Sequence, residues 1–302
     1  MPELPEVETT VRGLNKYVKG LTIKDVWTDY PSHLHVGKNH IKNKAFSNRF
    51  KKEVTGEKIF SASRIGKNVL IHLSRHKTIL VHMKMTGHFL YGKYEKTKSG
   101  WVTREKGPLE DPYNRFIHLV FILGNKKHLA FSDVRKFAKV TLLTEKDVAK
   151  DPEVSHIGPD PFSKNFTFEV FKRQITTRPN EKIKSALMDQ RLIAGIGNIY
   201  SDEILWRAGV HPLRATGTIK DTELAAIYKN IRPILEEALK TGGDSASDYR
   251  DIEGRKGNYQ NFHKAYRRTG KPCPKKDGGV IERIKIGGRS AHFCSKHQKL
   301  YK

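Results

Sequence analysis

The sequence predicts an α+β multidomain protein: a β-rich N-terminal domain of sandwich or barrel type, a helical domain, and a small basic β hairpin at the C-terminus. Three observations predict it. Short β-rich runs broken by Gly, Asn or Lys turns dominate up to about residue 145, and the texture becomes helical from Phe168 to about Lys240. The final stretch, residues 253–302, carries 14 Lys+Arg against 3 Asp+Glu and returns to short strands around GGVIERIKIGGRSAHF. At 302 residues the chain can bury two separate cores.

In chain order, the first element is a helix. Val7, Val11, Leu14 and Val18 recur at helical spacing and the pattern stops near Gly20. Its entry is MPELPEVETT, where Pro2 suits a first turn and Glu3, Glu6 and Glu8 complement the positive end of the helix dipole. Strands are then expected at LTIKDVWTDY, NVLIHL, TILVHMKM, FIHLVFIL, HLAFSDV and FAKVTLL, with GKYEKTKSGWVTREKGPLEDPYN as a long polar hairpin loop. IGPDPFS, residues 157–163, is punctuated by Gly and Pro and serves as a linker. Helices follow at VFKRQI, EKIKSALMDQRLI, GNIYSDEILWRAG and ELAAIYKNIRPILEEALK.

Charge narrows the function. With 57 Lys+Arg against 32 Asp+Glu the formal charge is +25, which calls for a polyanionic partner, nucleic acid first. No run approaches the roughly 20 apolar residues of a membrane span. The acidic start lacks the features of a signal peptide, and two cysteines, Cys273 and Cys294, make no disulfide framework, so a reducing, cytoplasmic setting is expected.

The sharpest local signal in the helical region is MDQRLIAGIGNIYSDEILWRAGVHP. One helix ends in a glycine-containing turn and a second begins at Asn198, whose side chain suits an N-cap. Backbone N–H groups there could host a DNA phosphate, with Lys184 reaching in from the preceding helix. An ordinary helix hairpin whose glycines permit close packing fits equally well.

MPELPEVETT, the lysine of RIGKNVLIHL, HMKMTGHFL, SDVRKFA, IGPDPFS, KSALMDQRLIAGIGNIYSDEILWRAGVHP and GGRSAHFC stand in the order, and at about the spacing, of the formamidopyrimidine-DNA glycosylases. The resemblance runs essentially from residue 1 to 302. Leu4 in LPEVE, where the endonuclease VIII branch has Gly, and the RxF of SDVRKF favour the branch that acts on oxidised purines. The resemblance implies an N-terminal β sandwich with a catalytic N-terminal helix at 1–150, a linker at 151–163, a helix-two-turn-helix DNA-binding domain with a lesion-capping loop at 164–262, and a zinc-finger-like β hairpin at 263–302. It implies a monomer that binds double-stranded DNA containing an oxidised base or abasic site, and no organic cofactor.

It also assigns roles. Met1 is removed and Pro2 becomes the nucleophile, an α-amine titrating at about 7.7 to 8.0 against about 10.4 for lysine. Glu3 is the general acid on the ribose ring oxygen and Glu6 orients the site. Glu8 receives no role and is expected on the helix surface. Lys67 contacts phosphate and acts in β-elimination, and Arg289 clamps the phosphates beside the lesion. Met85, Arg135 and Phe137 match the trio that enters the duplex once the base is flipped out. The loop at 248–268 matches the region that closes over the flipped base.

Two departures from the family pattern stand out. Lys276 occupies the place of a cysteine, which leaves Cys273, Cys294 and His297 as three zinc ligands and Asp277 as a candidate fourth; zinc and a hairpin held by packing alone are both open. PYNRF, residues 112–116, replaces a segment rich in histidines, so Asn114 and Arg115 are expected as substitute phosphate contacts. Competing functions are the same chemistry on oxidised pyrimidines and a non-catalytic DNA- or RNA-binding protein.

Overall fold

The computed structural model describes residues 1–300 except 34 and 36. The chain forms two compact units, Met1–Ser155 with Thr241–Asn258, and His156–Lys240 with Tyr259–Lys302.

The first unit is a β sandwich with helices attached. Helix α1 (Leu4–Tyr17) presents Val7, Val11 and Leu14 to the core, as the spacing predicts. The proline inside its first turn is Pro5; Pro2 lies one residue ahead of the N-cap, Glu3, which corrects the expectation that Pro2 itself opens the helix. The first antiparallel sheet has the order β1-β8-β9-β5, from β1 (Ile23–Thr28), β5 (His88–Gly92), β8 (Ile117–Leu123) and β9 (His128–Ser132). The second has the order β10-β4-β3-β2, from β2 (Ile59–Ile65), β3 (Asn68–Leu73), β4 (Lys77–His82) and β10 (Lys139–Thr144). Alternate residues of both sheets, including Val26, Phe121 and Phe131 from one and Val69, Ile71 and Val81 from the other, share one core with α1 and with α2 (Lys44–Val54). That alternation is the period of two that buries one face of each sheet.

The stretch read as a polar loop contains a real hairpin, β6 (Tyr94–Thr97) and β7 (Gly100–Thr103), followed by two short 3-10 turns at Pro108–Glu110 and Pro112–Arg115. Tyr94, Trp101 and Leu109 pack with Leu90 and Val120 in a small core of their own, so the lysines coat a folded element. A short helix, α3 (Glu145–Val148), closes this part of the chain.

The second unit contains α4 (Phe168–Thr176), α5 (Ile183–Met188), α6 (Asn198–Ala208) and α7 (Asp221–Lys240). The antiparallel pair β11 (Ile281–Ile286) and β12 (Arg289–Cys294) joins through Gly287 and Gly288. Trp206 of α6 packs with Ile281 and Cys294 of the hairpin.

The expected boundary of the helical domain is corrected by the segment after α7. Residues Thr241–Asn258 return to the first unit, because Ile252 is buried in its core and the Tyr91 N–H donates to the Ile252 carbonyl at 2.7 Å.

Candidate active site

The N-terminal turn is buried: Glu3 is 3% and Glu6 1% exposed, and Pro2 is buried beside them. Glu6 accepts from the Glu3 N–H at 2.7 Å, and its other carboxylate oxygen accepts from the Asp244 N–H at 2.8 Å. The Glu6 carbonyl accepts from the Tyr249 hydroxyl at 3.0 Å, and burial raises the pKa of that hydroxyl, which keeps it protonated. Glu6 thus ties the start of the chain to the returning segment. Gly243 is required there: its φ of +85° lies in the left-handed region, and a Cβ would lie 2.7 Å from the Glu6 carboxylate. Glu8 is more than helix surface, a correction to the sequence reading. It pairs with Arg64 at 2.7 Å and Arg12 at 2.9 Å, fastening α1 to β2.

Lys67 occupies the two-residue turn between β2 and β3, strands against which α1 packs, and is 7% exposed. Beside it, His82 is lowered to about 4 by burial and then by the Lys84 charge, so its ring is neutral at pH 7. The nearby Lys84 and Lys139 pair with Glu153 at 3.6 and 3.3 Å.

Met85 and the pair Arg135 and Phe137 come from separate loops that the structure brings together. Buried Asp133 is the organiser, a residue the sequence reading missed although it sits inside SDVRKFA. It accepts from Thr86 Oγ1 at 2.5 Å, the Tyr30 hydroxyl at 2.9 Å and the Ala138 N–H at 2.9 Å, while the Arg135 N–H reaches Thr86 Oγ1 at 3.2 Å. Phe137 is 47% exposed, and the Arg135 guanidinium lies 4.4 Å from its ring centroid. An exposed aromatic and an exposed arginine held on rigid loops can enter a base stack.

Asn114 is corrected. It is 2% exposed, with Oδ1 3.0 Å from His88 Nε2 and its amide donating to the Pro108 and Gly254 carbonyls, so it has nothing left for a phosphate. Arg115 is exposed, its guanidinium over the Phe116 ring.

In the second unit Lys184 is also corrected. It is 1% exposed and its ammonium meets Asp202 Oδ1 at 2.5 Å, Ser201 Oγ at 3.1 Å and the Asn198 carbonyl at 3.3 Å. Asp202 Oδ2 accepts from the His292 N–H at 3.0 Å and lies 2.8 Å from His292 Nδ1, so the pair binds α5, α6 and β12 together. The neighbouring Glu203 accepts from the Lys264, Ala265 and Tyr266 N–H groups, and burial raises its pKa. Both carboxylates went unread in the sequence. The N-cap of α6 is Gly197, with Asn198 as the first helical residue, its amide 3.4 Å from Ser290 Oγ. Arg289 begins β12 beside the glycine turn and is exposed.

Cys273, Asp277, Cys294 and His297 converge, with ligand atoms all within 4.8 Å of one another. His297 Nδ1 lies 2.6 Å from Asp277 Oδ2 and 3.7 Å from Cys273 Sγ, and Cys294 Sγ lies 3.7 Å from Asp277 Oδ2. His297 Nε2 is 3.2 Å from the Trp206 carbonyl, which leaves Nδ1 for a metal, and Asp277 Oδ1 accepts from the Gly279 N–H at 2.9 Å. Two sulfurs, an imidazole and a carboxylate at these separations suit tetrahedral zinc. Lys276 is exposed at φ +55, and the turn it makes carries Asp277 inward rather than blocking the site.

Comparison with known proteins finds one family over both parts of the chain. The family model for the formamidopyrimidine-DNA glycosylase N-terminal domain matches residues 1–140, and that for the H2TH domain of the same enzymes matches 157–250. Similar curated relatives are the formamidopyrimidine-DNA glycosylases of Desulforamulus reducens and Bacillus subtilis, each 36% identical over 99% of both chains. The Lactococcus lactis Fpg complex with DNA containing an abasic site superposes with a TM-score of 0.83 at 32% identity, covering 99% of this chain and 100% of that one. A complex of the same protein with DNA containing Fapy-dG gives a TM-score of 0.82 at 32% identity, with the same coverage.

Proposed function

The chain belongs to the formamidopyrimidine-DNA glycosylase family and is a base-excision repair glycosylase with abasic-site lyase activity; from that premise we propose that it works through a Schiff base on Pro2. Its substrates are oxidised purines in duplex DNA, 8-oxoguanine and formamidopyrimidines. With Met1 removed, the Pro2 nitrogen is a secondary amine whose lone pair attacks C1′ of the damaged nucleotide. The bond from C1′ to the base breaks and the base leaves with its electron pair. The nitrogen gives up its proton, Glu3 protonates the ring oxygen as the sugar opens, and the nitrogen lone pair closes to a permanently cationic iminium. That cation draws off the electrons released when the C2′ proton is lost, so the 3′ phosphate departs, with Lys67 acting in this step. The 5′ phosphate leaves in a second elimination, with Arg289 holding the flanking phosphates.

The observation that carries this reading is the burial of Pro2 directly ahead of the Glu3 N-cap, at the positive end of α1. Both burial and the helix dipole disfavour a charged amine and so favour the neutral nucleophile. Met85, Arg135 and Phe137 fill the gap left by the flipped base. Cys273, Asp277, Cys294 and His297 would hold a zinc ion, which supplies a structural crosslink beside the hairpin that bears Arg289. The N-terminal peptide mass tests the premise of the chemistry. It should begin at Pro2, and a retained Met1 in active protein would refute the nucleophile.

A further inference from the structure

The segment Thr241–Asn258 is stitched to the first unit by a buried charge. Arg250 is 1% exposed; its guanidinium lies 3.0 Å from Asp111 Oδ1, donates to the Ser247 and Tyr249 carbonyls at 3.0 and 2.8 Å, and sits 4.9 Å from the Tyr113 ring centroid. Four residues on, the Gly254 carbonyl accepts from Asn114 at 3.2 Å. Ile252 packs so closely on α1 that a Cβ on Gly13 would lie 2.5 Å from its Cγ2. At the other end of the segment, Asp244 and Tyr249 bond Glu6.

Tyr113 and Asn114 belong to PYNRF, residues 112–116, where the sequence departs from the family pattern, and Asp111 immediately precedes it. Arg250 therefore meets the chain at the start of that departure, through Asp111 and the Tyr113 ring. A buried guanidinium is tolerated only while its carboxylate and carbonyl partners are in place, and loss of one partner leaves an uncompensated charge. Such a contact behaves as closed or open with little between. It fixes the segment that bonds Glu6, in the first turn of α1 and close behind Pro2.

We propose that Arg250 and Asp111 form a latch that positions the 244–254 segment over the extruded base, making them positioning residues for base release rather than for sugar chemistry. This rests on the reading of the loop at 248–268, which overlaps this segment, as a lesion cap. An abasic site has no base to hold, so the latch matters for excision and not for cleavage of a preformed abasic site.

The test compares single-turnover excision of 8-oxoguanine opposite cytosine with strand cleavage at an abasic site in the same duplex, for wild type, Asp111→Asn, Arg250→Met and the double variant. Each single substitution should slow excision by about tenfold or more while abasic cleavage stays within about twofold, and the double variant should be no slower than the slower single one. Parallel loss of both activities, or loss of neither, would overturn the latch. If Arg250→Met fails to fold, Asp111→Asn decides alone, since it leaves the two carbonyl partners of Arg250. If the wild type cleaves abasic DNA but excises no 8-oxoguanine, the cap reading fails; limited trypsin digestion then judges the latch itself. Faster cutting after Arg255 in Asp111→Asn than in wild type would support it, and equal rates would end it.

Discussion

Glu6 and Asp244 are joined by a 2.8 Å hydrogen bond from a backbone N–H to a carboxylate, across 238 positions of sequence. The other Glu6 oxygen holds the Glu3 N–H, so one side chain fixes both the residue after Pro2 and the returning segment. Glu6→Gln offers one acceptor where two are used and must turn an N–H toward an N–H. It should cost about 1–3 kcal/mol of stability and lower excision, read as a fall in urea midpoint together with a slower single turnover. An unchanged midpoint would show that the two bonds do not depend on the carboxylate.

Lys184 is a buried structural cation, and its removal should separate folding from DNA contact. Lys184→Met leaves Asp202 with only its His292 bonds and should destabilise by roughly 3–5 kcal/mol. The slope of log Kd against log salt should stay at the wild-type value. A slope shallower by about 0.9 would instead mark Lys184 as a phosphate contact.

The metal site predicts close to one equivalent of zinc in protein purified without chelators. Asp277→Ala removes one of the four donors and should lower zinc retention against a competing chelator, and Lys276→Ala should leave it unchanged. Zinc content near zero in the wild type would mean that packing alone holds the hairpin.

His82 sets a pH dependence. Its folded-state pKa is about 4, lowered by burial and then by Lys84, against about 6.5 when unfolded. As pH falls through this window the unfolded chain takes up the proton first. Stability from the neutral ring is therefore complete above about pH 6.5 and declines toward pH 4. Urea midpoints between pH 7 and 4.5 should drop further for wild type than for His82→Gln, and equal drops would contradict the assignment.

Much of the fold was legible because burial leaves a period. NVLIHL is β3 to the residue, and the spacing of Val7, Val11 and Leu14 is the buried stripe of α1. β2, IFSASRI, escaped notice because serine and arginine interrupt its apolar positions, and β6 and β7 because lysines coat their exposed side.

Within the site, residues that stand next to one another in sequence could be read together, as Pro2, Glu3 and Glu6 were. Partners brought in by folding could not. Lys184 was aimed at a phosphate because Asp202 gives no sign in the sequence that it will meet Lys184 in the interior. Asn114 was offered to DNA because its neighbours His88 and Gly254 lie 26 and 140 positions away. Asp277 stood only as a candidate fourth ligand because spacing counts residues, whereas the left-handed turn at Lys276 decides where the carboxylate points.

The most direct test of the Pro2 chemistry is borohydride trapping on duplex DNA containing 8-oxoguanine. Reduction of the iminium should leave a stable covalent complex whose crosslinked peptide begins at Pro2, and Pro2→Gly should lose most of it. Absence of any adduct with processed, DNA-binding wild-type protein would contradict the account.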